Sequence, residues 1–295
     1  MPLRIFPKTF GMAREERQLQ EILSEISAAE KGDVLLFPEY GAYTIEGSQT
    51  AYAQLSRAAS SQGKTIITSL NLPSDDLPNA NPTVNYNTLF IFSRNGQIYS
   101  PQAKITPQSF ETRHLDETFP KMNVTPYSFL NRITLRQNGE DFSAYFFICS
   151  DLYALQLFDW DELESDAILC PANFGNGAEG SAEDVIDYTV KSGLFKQGFL
   201  CNTYQDEGKG RPPLTRRVEK VFKVGEEKAP YRKQEMNKIV ARSSVVYPDD
   251  PDSKFSNFQS MLQLTQKGTF TVPRSRSLDN GLKVELGAYE NVIEL

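Results

Sequence analysis

The feature that most constrains the fold is a short apolar and aromatic run that ends at a cysteine. Residues 143–152 read Ser-Ala-Tyr-Phe-Phe-Ile-Cys-Ser-Asp-Leu, so the run stops at Ser150 and Asp151. An apolar run of this length and β-rich composition predicts a strand that is buried on both faces of a sheet. Functional groups in α/β folds favour the ends of such strands. A free cysteine in an apolar run is more often a core residue, so Cys149 needs support from distant segments.

The composition is that of a folded protein in an aqueous compartment. The chain has 295 residues, of which 39% are hydrophobic and 11% aromatic, enough for a substantial core in one or two domains. No stretch approaches the roughly 20 apolar residues of a membrane span, and the N-terminal residues lack the apolar segment of a signal peptide. We therefore expect a cytoplasmic protein.

The cysteines and the single histidine exclude several kinds of site. Cys149, Cys170 and Cys201 each lie in an apolar run, and their spacing fits neither a disulfide framework nor a metal-binding CxxC pair. His114 is the only histidine, so a histidine-rich metal site cannot be built. The cysteines are therefore core residues or nucleophiles.

The charge of the chain is unevenly distributed. The net charge is −7, which argues against general nucleic-acid binding. Residues 209–242 nevertheless hold eleven Lys or Arg against four Asp or Glu, so this segment carries +7 and the rest of the chain carries −14. Charge-rich segments are most often solvated surface. The alternative is a basic lip that attracts an anionic substrate, an acidic protein or nucleic acid.

The order of predicted elements favours a single α/β domain with a mixed sheet over residues 1–295. Helical periodicity and buried apolar runs alternate along the chain without a break in composition. The predicted helices are 13–30, 51–61 and 185–196, and the predicted strands include 33–37, 65–70, 166–170, 198–202, 240–247 and 261–264. Asn95 and Gly96 between apolar runs predict a hairpin, and 133–148 predicts another. The weak signals of 265–295 are typical of an extended C-terminal tail.

Three ionisable residues each follow a predicted apolar strand: Glu39, Lys104 and Cys149. A thiol, a carboxylate and an ammonium together meet the needs of acyl transfer. The thiol attacks a carbonyl or nitrile carbon, the carboxylate accepts its proton and later activates water, and the ammonium stabilises the oxyanion. Each residue alone would be ordinary, because charged side chains are mostly exposed. Their common position at strand ends predicts a shared site.

These residues lie in segments that resemble the motifs of the nitrilase, or carbon–nitrogen hydrolase, superfamily. Asp33-Val-Leu-Leu-Phe-Pro-Glu39 is similar to its glutamate motif and Tyr99-Ser-Pro-Gln-Ala-Lys104 to its lysine motif. Phe147-Ile-Cys149-Ser-Asp151 resembles its cysteine motif. Segments 167–173 and 199–202 resemble the strands that follow. The five segments occur in the family's order and cover residues 30–205.

The resemblance implies a four-layer α-β-β-α sandwich with mixed sheets, commonly paired as a homodimer. It implies a hydrolase that cleaves an amide, carbamoyl or nitrile carbon–nitrogen bond of a small molecule. Cys149 would be the nucleophile, Glu39 the base and Lys104 the oxyanion stabiliser. The reaction would proceed through a thioester and would need no metal and no organic cofactor.

The resemblance also implies supporting residues. Many members of the family carry a second glutamate after the lysine, for which Glu111 is the better match and Glu117 the alternative. The backbone N–H of Ser150 would be a second oxyanion donor. The remaining residues expected to bind the substrate or the oxyanion are Asn173, Phe174 and Tyr43.

Two departures from the family leave the substrate open. Ser150 stands where the family commonly has a larger residue beside the acyl pocket, and the basic segment around 207–240 looks like an insertion. Transfer to an acceptor other than water, or a catalytically silent scaffold, are alternatives. A further alternative is a papain-like pair of Cys149 with His114, although the flanking signature of that family is absent around Cys149.

Overall fold

Two sheets, of five and six strands, form the centre of the protein. The computed structural model describes residues 2–12, 14–77, 87–105, 129–157, 163–174, 178–205, 217–225, 230–232, 234–236, 238–239, 263–264, 270–273, 281–283 and 285–295. Among the helices in these ranges, none combines the length and the apolar character needed to cross a membrane.

The N-terminal part of the chain forms a five-stranded mixed sheet and two helices. Its elements are β1 (Phe6–Pro7), β2 (Gly11–Met12), α1 (Glu15–Ala28), β3 (Val34–Leu36), α2 (Ile45–Gln62), β4 (Thr65–Asn71), β5 (Asn87–Phe92) and β6 (Ile98–Ala103). The strand order is β1-β3-β4-β5-β6. The pairs among β1, β3 and β4 are parallel, whereas β4 with β5 and β5 with β6 are antiparallel.

The rest of the described chain forms a six-stranded mixed sheet, helices and several short strands. Its elements are β7 (Phe129–Gln137), β8 (Glu140–Phe146), a 3-10 helix (Cys149–Leu157), β9 (Ser165–Ala172), α3 (Ala178–Lys191), β10 (Phe195–Asn202), β11 (Tyr204–Gln205), β12 (Val218–Lys223), β13 (Gln263–Leu264), β14 (Phe270–Pro273), β15 (Gly281–Lys283) and β16 (Glu285–Glu294). The strand order is β12-β10-β9-β8-β7-β16, with β8, β9 and β10 parallel. The remaining strands form small pairings, β2 with β11 and β13-β14-β15.

The two sheets face each other across a shared apolar core. Along β9, Ala167 and Leu169 join the cluster between the sheets, whereas Ile168 and Cys170 join the cluster under α3. This alternation follows from the two-residue period of a strand that is covered on both faces. A third cluster packs α1 and α2 against the outer face of the first sheet. The order of layers is therefore helix, sheet, sheet, helix, and the predicted four-layer sandwich is confirmed.

The start of α2 and the end of α3 differ from the predictions, because an N-cap sets the first and a glycine sets the second. Helix α2 begins at Ile45 rather than at 51, because the Thr44 hydroxyl accepts the Gly47 N–H at 3.0 Å as an N-cap. Helix α3 spans Ala178–Lys191 rather than 185–196. Gly193 has a φ of +78°, which ends the helix and lets β10 begin at Phe195.

The β5–β6 hairpin confirms the turn that the sequence predicts. Gly96 has a φ of +89°, a conformation that glycine adopts without steric cost. The Asn95 side chain supports the turn by accepting the Gln97 N–H at 2.9 Å. The hairpin carries the chain back along β6 to Lys104.

The C-terminal segment is part of the second sheet. Strand β16 pairs in parallel with β7, with a register shift between Ala288 and Val292. The Leu295 N–H continues the pairing by donating to the Arg136 carbonyl at 2.9 Å. The expected tail is thus, over these residues, an edge strand. A bulged edge strand carries a weak period-two pattern, which explains why this strand was not predicted. The strand predicted at 240–247 lies outside the described residues.

Candidate active site

Glu39 lies in a loop that side chains of β4 hold in place. The strand β3 stops before Pro38, whose carbonyl accepts the Thr68 hydroxyl at 2.9 Å. On the other side of Glu39, the Tyr40 N–H donates to the Ser69 hydroxyl at 3.0 Å. Tyr40 has a φ of +59°, a conformation that few non-glycine residues adopt. Glu39 itself is buried, so its carboxylate is fixed beneath the protein surface.

Lys104 follows β6 directly and reaches Glu39. Its backbone N–H donates to the Asn87 carbonyl at 2.8 Å, which extends the β5–β6 pairing by one residue. Its Nζ donates to Glu39 Oε1 at 2.6 Å, and both side chains are at most 1% exposed. Desolvation offsets most of the attraction in such a pair, so a buried ion pair is weak support for stability. Its presence at two strand ends therefore favours a functional role.

Cys149 begins the 3-10 helix that follows β8. Phe147 still pairs with β9, its N–H donating to the Leu169 carbonyl at 2.9 Å. Two residues later Cys149 has a φ of +53°, so the chain turns sharply at this side chain. Left-handed backbone costs an L-residue other than glycine roughly 1–2 kcal/mol. Such strain clusters at active sites, where it aims a side chain out of its strand.

The influences on the pKa of Cys149 indicate that its thiol lies near the Glu39–Lys104 ion pair. Burial raises the pKa of Cys149 well above its ordinary value, and the negative charge of Glu39 raises it further. The positive charge of Lys104 and a hydrogen bond from the Asn173 backbone act in the opposite direction. The three residues predicted from strand ends are therefore neighbours. Burial therefore outweighs the effect of Lys104, and the raised pKa keeps the sulfur a neutral thiol at neutral pH.

Asp151 connects the cysteine turn to the lysine strand. Both of its carboxylate oxygens accept the Ile105 N–H, each at 3.1 Å, and the side chain is fully buried. The residue after Lys104 is thereby tied to the second residue after Cys149. The sequence placed Asp151 in the cysteine motif without a role, because the partner lies 46 residues away.

Asn202, at the end of β10, holds the segment that carries two other predicted residues. Its Oδ1 accepts the Phe174 N–H at 2.7 Å, and its Nδ2 donates to the Phe174 carbonyl at 3.0 Å. The Asn173 side chain accepts the Thr203 hydroxyl at 2.6 Å. Both residues therefore follow β9 beside Cys149, in agreement with the hydrogen bond from the Asn173 backbone to the thiol.

The other predicted site residues have less direct placements. Ser150 is buried next to Cys149. Tyr43 lies half-buried beyond the Glu39 loop, where its N–H donates to Glu15 at 2.6 Å and its carbonyl accepts Asn71 Nδ2 at 3.0 Å. Glu111, Glu117 and His114 lie outside the described residues, as does half of the basic segment 209–242.

A separate groove lies between α1 and α2. Its volume is about 340 Å³, and its lining includes Glu15, Glu16, Glu46 and Leu23. The three ionisable side chains of the candidate site do not contribute to its lining. Glu15 is already occupied in hydrogen bonds to Tyr43 and the Thr44 backbone. The groove is thus part of the helical layer rather than of the candidate site.

Known proteins match this chain in structure rather than in sequence. No family model and no curated protein matches the sequence. The fold matches XC1258 from Xanthomonas campestris, a CN-hydrolase superfamily protein with an arsenic adduct in its active site. The match covers 85% of this chain and 98% of that chain, with a TM-score of 0.52 and 14% identity.

A second structural match is a mutant of the amidase from Nesterenkonia sp. AN1. That structure shows covalent addition of the acetamide moiety of fluoroacetamide at the active site cysteine. The match covers 74% of this chain and 81% of that chain, with a TM-score of 0.51 and 14% identity. The chain therefore has the fold of the carbon–nitrogen hydrolases, and the resemblance predicted from five motifs is confirmed at the level of the fold.

Proposed function

We propose that this protein is a carbon–nitrogen hydrolase that cleaves an amide, carbamoyl or nitrile bond of a small molecule through a thioester on Cys149. The observation that carries the proposal is the buried 2.6 Å contact between Lys104 and Glu39, beside a thiol that both charges influence. The amidase with the same fold carries a covalent adduct at its active site cysteine, which supports a covalent route here.

The raised pKa of Cys149 determines the first step. Because the thiol is neutral at rest, its proton must leave as the sulfur attacks the carbonyl carbon. Glu39 is the base that accepts this proton, since its carboxylate lies near enough to act on the thiol electrostatically. Attack forms the carbon–sulfur bond and moves the carbonyl electron pair onto oxygen.

The next steps use the same three groups. The Lys104 ammonium and the Ser150 N–H stabilise the oxyanion of the tetrahedral adduct. For an amide or carbamoyl substrate, Glu39 returns its proton to the leaving nitrogen, the carbon–nitrogen bond breaks, and ammonia or an amine departs. A nitrile gives a thioimidate instead, and water adds to it before ammonia leaves. Glu39 then takes a proton from water, the resulting attack releases the acid, and the thiol regains its proton.

The substrate and the assembly are proposed in outline. The excess of positive charge over residues 209–242 favours a substrate that bears a carboxylate or phosphate. Glu111 is proposed to support the site from the segment after Lys104. A homodimer is proposed from the resemblance, and sedimentation of the purified protein would test it.

Intact-mass analysis tests the proposed chemistry. The protein is exposed to a panel of amides, carbamoyl compounds and nitriles, and the mass of the chain is followed over time. We expect an acyl adduct on the parent that is missing in Cys149→Ala and that decays with release of acid. Turnover without any dependence on Cys149 would reject the mechanism. His114→Ala separates the papain-like alternative, which predicts loss of activity, whereas we expect near-normal turnover.

A further inference from the structure

A buried asparagine touches both members of the ion pair. Asn87 begins β5, and its Nδ2 donates to Glu39 Oε1 at 2.5 Å. Its backbone carbonyl accepts the Lys104 N–H at 2.8 Å. The side chain is fully buried. One residue therefore contacts the carboxylate through its side chain and the lysine through its backbone.

We propose that Asn87 is a positioning residue that fixes the orientation of the Glu39 carboxylate for proton transfer. The proposal rests on the proposed function, because it concerns the base of that reaction. Asn87 does not touch the substrate. It acts through Glu39, whose carboxylate it holds together with the Lys104 ammonium.

Asn87 and Lys104 donate to the same carboxylate oxygen of Glu39. Asn87 Nδ2 and Lys104 Nζ both donate to Oε1, at 2.5 Å and 2.6 Å. A carboxylate oxygen that accepts two donors is a poorer proton acceptor, because both bonds stabilise its negative charge. These two donors hold Oε1 in place beside Lys104. Rotation about the last side-chain bond of Glu39 would exchange the oxygens, and the planar amide of Asn87 resists that rotation.

The arrangement is unfavourable for stability alone. Asn87 Oδ1 is buried and has no hydrogen-bond partner among the described residues. An unpaired buried acceptor costs roughly 1–3 kcal/mol, which offsets much of the gain from the bond to Glu39. The bond to Glu39, rather than packing of the amide, is therefore what sets this side chain apart.

Asn71 provides a matched control directly across the sheet. It pairs with Asn87 between β4 and β5, it is equally buried, and its Oδ1 also lacks a partner in the described chain. Its Nδ2 donates to the Tyr43 carbonyl rather than to a carboxylate. The two asparagines therefore share environment and differ in whether they contact Glu39.

The test measures alkylation of Cys149 by iodoacetamide as a function of pH, with intact mass to count the modified thiols. Iodide leaves as the carbon–sulfur bond forms, and the thiol proton passes to Glu39. The variants are Asn87→Leu and Asn87→Asp, with Asn71→Leu as the control and Cys149→Ala to identify the labelled thiol. Among the residues that the structure describes, the titratable groups that influence or contact Glu39 include Lys104, Cys149 and Cys170. None of them is changed in the asparagine variants.

In Asn87→Leu we expect alkylation to slow roughly ten- to a hundredfold at neutral pH, which corresponds to one hydrogen bond to a charged group. Losing a donor to the charged form raises the pKa of Glu39. The acid limb of the pH profile, over which alkylation slows as Glu39 becomes protonated, therefore moves to higher pH. In Asn87→Asp a second carboxylate moves the limb in the same direction. Asn71→Leu should leave the limb in place.

Several results would overturn the proposal. Unchanged acid limbs in folded Asn87→Leu and Asn87→Asp would do so, and so would an equal shift in Asn71→Leu. If both Asn87 variants fail to fold while Asn71→Leu folds, the residue is structural instead. Iodoacetamide modifies a reactive thiol whatever the natural substrate is. The result is therefore separate from the panel of amides and nitriles, whose failure would reject the proposed function instead.

Discussion

The two sheets contribute to the candidate site in different ways. The first sheet supplies Glu39 and Lys104, which are held by hydrogen bonds and by their mutual charge. The second sheet supplies Cys149, which is placed by a left-handed backbone conformation at the end of β8. Charged groups on long side chains need partners to fix them, whereas the short cysteine side chain is aimed by its own backbone.

This difference predicts which kind of substitution each half of the site should be sensitive to. The first-sheet half should respond to changes in its partners, since removing one leaves a buried charge or donor unpaired. The second-sheet half should respond to the conformational preference of the residue at position 149. The tie between Asp151 and Ile105 joins the two halves and should lie between them in its effect.

The largest effect is expected from Lys104→Met. This change leaves the buried Glu39 carboxylate without its cation, and breaking one side of a buried pair costs about 3–5 kcal/mol in the free energy of unfolding. Lys104 also lowers the pKa of Cys149, so its loss raises that pKa and the alkylation profile moves to higher pH. Urea unfolding and the pH profile measure the two effects.

Lys8 offers the matched control for this prediction. It pairs with Glu25 at 2.9 Å, but both side chains are about one-third exposed, so Lys8→Met should cost at most about 1 kcal/mol. Adding Glu39→Gln to Lys104→Met removes the uncompensated charge and should restore part of the lost stability. Equal losses for Lys8→Met and Lys104→Met would contradict the distinction between buried and exposed pairs.

An intermediate effect is expected at the tie between the halves. Asp151→Leu leaves the buried Ile105 N–H without its carboxylate, which should lower the free energy of unfolding by about 1–3 kcal/mol. Asp151→Asn retains one acceptor oxygen and should lower the free energy of unfolding by less. The order is checked by urea unfolding of both variants, and a larger loss for Asn than for Leu would refute this account of the tie.

The smallest effect is expected at the backbone of Cys149. Because φ is +53°, Cys149→Gly should be more stable than Cys149→Ala by about 1 kcal/mol. Cys170, within β9, should show the opposite order, since glycine weakens a strand interior. Thermal unfolding of the four variants compares the positions. The same order at both would remove the argument for backbone strain at the nucleophile.

Local signals in the sequence were reliable where neighbours along the chain decide the structure. The Asn95-Gly96 turn and the long helix α1 follow from turn chemistry and apolar periodicity, and both form as predicted. The start of α2 was missed because a cap at Thr44 outweighs the weak periodicity of its first turn. Strand β16 was missed because a bulged edge strand carries only a weak period-two pattern.

The sequence by itself determined which residues stand at strand ends, and so proposed Glu39, Lys104 and Cys149 as a group. Tertiary structure alone decided that Asn87 contacts the carboxylate, that Asp151 ties the two loops, and that the thiol stays neutral beside a buried ion pair. The physical reason is distance along the chain. The contacts of Glu39 with Asn87 and Lys104 span 48 and 65 residues, and only the packing of the sheets brings such partners together.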